Sequence, residues 1–234
     1  MNKKLLQLML WEFEEIWRFP ALELFAAIAV FFALNSSRFD ITYTFVNFQL
    51  CLIQVILVAV FYARSVAACI EKREILVLLS NPIKRTTLFL SKFLTNLLII
   101  FLIFGSVVVT GAYLMLLQPW DKQVFIGLLI VFLNVLFLST LSFTSSLILK
   151  TTWGGTILPV MIYFGLAFGV PQNSNFPQAI PPTGSNVIFY YLSKTAAYSQ
   201  YSFEEFIVAL MFPIITSIIL LLAAFLYFRR MEID

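Results

Sequence analysis

Residues 124–149 run without a single charged side chain. At about 1.5 Å per helical residue the run can cross the ~30 Å hydrocarbon core of a bilayer. That severely restricts what the chain can fold into. Hydrocarbon offers backbone N–H and C=O groups no partner, so such a run takes up its own hydrogen bonds as a helix. Five further apolar runs occupy 21–36, 44–63, 93–117, 153–170 and 206–228. Composition agrees: 61 % of residues are hydrophobic and 12 % charged, about half the charge of a soluble domain. The mean hydropathy is +0.96. The expected fold is an all-α membrane protein with six transmembrane helices and, before them, an amphipathic elbow helix over 1–19.

The cations set the orientation. With the N-terminus inside, the inner segments hold Lys3, Lys4, Arg18, Arg64, Lys72, Arg73, Lys84, Arg85, Lys92, Lys150, Arg229 and Arg230. Only Arg38, Lys122 and Lys194 fall outside, so six spans with this bias put both termini in the cytoplasm of a multi-pass cell-membrane protein. In the elbow, Leu6, Met9, Leu10, Phe13, Ile16 and Trp17 recur at helical spacing opposite Lys3, Gln7, Glu14, Glu15 and Arg18. Such a helix is expected in the headgroup plane. The cations lie between apolar runs rather than in a patch fit for nucleic acid, so membrane lipids are the expected surroundings. The last outer loop, 171–202, is long. Its first part is rich in Pro, Asn and Ser, and 186–198 can form a short helix on or dipping into the outer leaflet.

The one long polar interruption is 69–92, within a cytoplasmic loop expected over 64–92. Glu71, Lys72, Arg73 and Glu74 open it, Ile75, Leu76, Leu78 and Leu79 make an apolar face, and Ser80-Asn81-Pro82 breaks the helix. Asn81 suits a cap and Pro82 the first position of the next helix, ahead of Lys84, Arg85 and Lys92.

Much chemistry is missing. There is no histidine, the commonest general base and metal ligand, and no metal site or catalytic residue is expected. No phosphate-cradling Gly-x-x-x-x-Gly-Lys-Ser/Thr occurs, so no nucleotide hydrolysis is expected on this chain. Cys51 and Cys69 share one expected helix, roughly 27 Å apart, too far for a disulfide. Glu23 is the one carboxylate within a span. Asn47 and Gln54 share a face of the second span, and Asn134, Ser139, Ser142 and Ser146 stripe the fourth. Such side chains serve either helix-to-helix hydrogen bonding or a substrate-facing surface.

Glu71-Lys72-Arg73-Glu74, then Leu78-Leu79-Ser80-Asn81-Pro82-Ile83-Lys84-Arg85, then Lys92 together resemble the first cytoplasmic loop of the type-2 export permeases, the membrane subunits of type V ABC exporters. The family often has Gly soon after the second carboxylate, where this chain has Ile75. Elbow, span number, long last outer loop and Arg229-Arg230 extend the likeness along the chain. The resemblance implies a permease that dimerises with an identical or homologous protomer and docks on separate ABC ATPase subunits, which bind ATP and Mg. Coupling would fall to Glu71, Glu74, Leu76, Leu78, Leu79, Pro82 and Arg85. The alternatives are a membrane scaffold that recruits an ATPase without transporting, and a secondary carrier.

Overall fold

A computed structural model describes residues 3–17, 43–74, 84–114, 122–169, 183–193 and 202–231. Every regular element among them is helical. Helix α1 is Lys3–Trp17 and α2 is Tyr43–Tyr62. The rod of α2 continues through a π-helical turn, Ala63–Ala67, and a last α-helical turn, Ala68–Glu71. Then come α3 (Arg85–Leu114), α4 (Lys122–Leu149), α5 (Thr152–Gly169), α6 (Thr183–Ser193) and α7 (Phe203–Arg230). Four stretches are long and apolar enough to cross a bilayer: Ile53–Glu71, Arg85–Val109, Val124–Leu149 and Phe203–Arg230. Thr152–Leu166 is a shorter apolar helix. These mark a membrane protein. The expected first span, 21–36, and loop residues 75–83 lie outside the described residues.

Two boundaries differ from the sequence reading. The α2 rod stays helical to Glu71 rather than stopping at 63, and α3 starts at Arg85, not at Pro82 or at the membrane entry placed at 93. Lys84 supplies the reason at α3: its carbonyl accepts the amides of Thr87 (2.9 Å) and Leu88 (3.2 Å), closing the first turn. Polar residues prolong both helices beyond the apolar runs because helical hydrogen bonding does not stop where hydrocarbon ends.

Helix α4 is the centre of the bundle and packs against α2, α3, α5, α6 and α7. Its hydroxyl residues allow close approach and then bond across the contact. Thr140 Oγ1, which donates to the Phe137 carbonyl (2.8 Å), meets Ser217 Oγ at 3.3 Å, and Thr144 Oγ1, which donates to the Thr140 carbonyl (2.7 Å), lies 3.4 Å from the Leu220 carbonyl on α7. Toward the end where α3 begins, Phe143 meets Phe89 (4.9 Å between centroids), Phe93 (5.4 Å) and Tyr62 (5.7 Å) edge-on. This knot joins α2, α3 and α4, and Phe89 extends it to Phe225 of α7.

Helix α6 begins three residues before the 186–198 anticipated for it and is packed into the bundle. Val187 and Ile188 are buried with Ile126, Ile130 and Leu133 of α4. Its first turn meets Asn134, which lies roughly 18 Å along α4 from Lys122, while Tyr191 stacks on Phe206 (4.5 Å) near the start of α7. The segment therefore rises from the middle of the bundle toward the end where α7 begins.

Candidate functional site

A cluster of polar side chains closes the neck between the α2 rod and α3, at the flanks of 75–83. Lys92 and Asn96 are one helical turn apart, so they project from one face of α3. Both reach Ser65 in the π-helical turn of the α2 rod. Lys92 Nζ donates to the Ser65 carbonyl (2.9 Å), and Asn96 Nδ2 donates to Ser65 Oγ (2.9 Å). A π turn pairs each carbonyl one residue further along, as the Ala68 amide does with Ala63. That re-aims the backbone at one position, a device found often at functional sites. Lys92 Nζ also donates to Glu12 Oε1 of α1 at 2.6 Å, with 7 % of the lysine side chain and 2 % of the glutamate side chain exposed. One ammonium thus joins three elements.

Lys92 is therefore buried and not at a rim, and α1 docks with Glu12 inward while Leu6, Leu10 and Phe13 stay exposed. The helix turns a polar residue to the protein and apolar ones outward. In lipid that arrangement is favourable, because the surroundings accept the apolar face and the bundle must satisfy the charge.

Two further contacts tie the flanks of the loop to other helices. Glu71 accepts from the Thr152 amide (3.0 Å) and from Thr152 Oγ1 (2.7 Å), satisfying an otherwise orphaned donor at the start of α5. Arg85 Nη1 donates to the carbonyls of Arg229 (3.2 Å) and Met231 (3.0 Å), so a cation completes the negative end of α7. Beyond Glu71 the chain turns through Arg73, whose φ of 59° is left-handed, and Glu74 is exposed there. Leu76, Leu78, Leu79 and Pro82 lie outside the described residues.

The polar residues of the spans lie within the single chain. Asn134 Nδ2 donates to Ser185 Oγ (3.0 Å), which donates back to Asn134 Oδ1 (3.2 Å), seating α6. Ser139 is buried beside the Tyr62 hydroxyl, which donates to the Phe93 carbonyl (3.0 Å). Gln54 and Ser142 are each 1 % exposed, and Gln54 Oε1 and Ser142 Oγ meet no hydrogen-bonding group among the described residues. Asn47 is on α2, with its side chain outside the described set. Glu12, Ser65, Asn96 and Thr152 were not singled out by the sequence reading. The signal for one pair was present: Glu12 interrupts an apolar helix just as Lys92 interrupts an apolar run.

Among the described residues no group of three or more His, Cys, Asp or Glu is placed to hold a metal ion. No protein-family model matches the chain, and no curated protein matches it.

Proposed function

We propose that this chain is the permease subunit of an ATP-driven ABC exporter. Two protomers, identical or homologous, form the translocation pathway, and separate ATPase subunits carrying ATP and Mg dock on the loop over 64–92. The complete subunit has an elbow helix and six spans, with both termini in the cytoplasm. Leu76, Leu78 and Leu79 fill a groove on the ATPase, Glu74 lies at its polar rim, and Pro82 breaks the chain ahead of α3. Glu71 and Arg85, exposed at the two flanks of the loop, carry its movement into the helices they bind. The observation that best supports this reading is the anchoring of the loop: Glu71 binds the start of α5, Arg85 the end of α7, and Lys92 binds both Ser65 and Glu12. A push on a loop held at these points reaches α1, α2, α3, α5 and α7 together. Closure of an ATPase dimer would supply that push.

The test replaces Leu78 and Leu79 together by Asp in the full chain. Loss of the co-purifying ATPase subunit and of its stimulated hydrolysis is expected. Unchanged co-purification and stimulation would sink the docking role, and co-purification with no stimulation in the parent protein would identify a scaffold. Labelling of Glu74→Cys by an impermeant maleimide from outside intact cells would overturn the topology itself.

A further inference from the structure

We propose that the cations gathered where α3 begins and α7 ends bind the phosphate of an anionic phospholipid in the adjoining leaflet. This site is independent of the ATPase reading. Lys84 and Arg85 are adjacent in sequence, as are Arg229 and Arg230, and the two Arg85 hydrogen bonds bring these pairs together across 144 residues. All four side chains are exposed. Among the described residues none of them meets a carboxylate. Four like charges held at adjoining helix ends repel one another, and a bound anion relieves that repulsion. The positive end of α3 and the negative end of α7 meet here and offset one another, so the side-chain cations set the sign of the local charge. Glu232 and Asp234 follow in the sequence and leave the local balance positive.

The ligand's second half follows from the surroundings. Phe89 packs on Phe225 and Phe228, so α3 and α7 meet directly beside the cluster. Next to it Leu90, Leu222, Leu226 and Tyr227 are exposed. Only 17 % of the apolar window of α7 is buried within the chain. An anion seated here has apolar side chains beside it, which a lipid with acyl chains satisfies and a free phosphate does not. Basic clusters between helices at a membrane face take phospholipid headgroups for this reason.

The full chain is purified, placed in phosphatidylcholine nanodiscs with or without phosphatidylglycerol, and its retained lipids are counted by native mass spectrometry. Lys84→Gln with Arg229→Gln and Arg230→Gln, leaving Arg85 intact, is expected to weaken phosphatidylglycerol retention roughly fivefold per charge removed. The control, Lys72→Gln with Arg73→Gln and Lys150→Gln, removes equal charge elsewhere and is expected to change retention less than about twofold. Arg230→Gln alone serves if the triple variant does not fold, with its own roughly fivefold loss expected. Equal losses in the variant and the control would overturn the site, as would equal retention of the two lipids. Displacement of the lipid by glycerol phosphate at matching concentration would assign a free phosphate instead and also overturn it. So would charge-dependent capture of a soluble acidic protein in lipid-free detergent that excludes phosphatidylglycerol.

Discussion

Glu12 leaves Lys92 with one partner when it is removed, the Ser65 carbonyl, and an ammonium held away from water by so little is expensive. Glu12→Ala is expected to destabilise the protein by about 3–5 kcal/mol, measured as thermal unfolding in detergent. Replacing both partners, Glu12→Met with Lys92→Met, is expected to recover most of that loss, because the uncompensated charge goes with its partner. A double variant no better than Glu12→Ala would show that the cost lies in packing. Gly155 poses a steric question at the same scale. A Cβ there would come within 2.8 Å of Ser146 Oγ and 3.3 Å of Ala63 Cβ, so α5 approaches both α4 and the π turn because the position carries no side chain. Gly155→Ala is expected to cost about 1–3 kcal/mol of overpacking. Adding Ser146→Ala, which removes the nearest atom, is expected to restore more than half of it in the same unfolding measurement. The glycine was plain in the sequence, and its neighbours were not.

Helix α6 is held by the reciprocal pair Asn134 and Ser185, by the apolar contacts of Val187 and Ile188, and by Tyr191 stacked on Phe206. A coupling energy of about 0.6–1.7 kcal/mol is expected from a double-mutant cycle on Asn134→Ala and Ser185→Ala. Loosening the seat is also expected to be visible from outside. A single cysteine at Ile188 should resist an impermeant maleimide in the parent and react several-fold faster with Asn134→Ala, and equal rates would show that the pair does not seat the helix. At α3 and α7 the comparable tie is Arg85. Arg85→Gln is expected to speed amide hydrogen exchange over the last turn of α7 while leaving the middle of that helix unchanged. The existence of a short helix within 171–202 was legible from its aromatic and apolar residues. Its burial was not, because a surface helix and one packed into the bundle share the same pattern when lipid is the alternative solvent.

Among the described helices, several polar side chains are buried while much apolar surface faces outward, as suits a bundle solvated by lipid. Glu12, Lys92, Asn96, Asn134 and Ser142 are buried while Ile215, Ile219, Leu222 and Leu226 are exposed. A spin label at Leu222 is accordingly expected to collide with dissolved oxygen more than with a water-soluble nickel chelate, and the opposite ratio would take α7 out of the lipid. Membrane class, helical structure and the approximate position of the described spans were determined by the sequence alone. Apolar runs of that length have one solution in hydrocarbon, and it is written in composition and spacing. Which polar residues meet was decided by tertiary structure. Glu71 and Arg85 stand in the sequence as exposed loop charges, and the fold adds that each closes the end of a helix far along the chain, at Thr152 and at Arg229. A helix terminus needs a hydrogen-bonding partner from somewhere, and only the packed arrangement of the bundle determines which side chain is near enough to supply it.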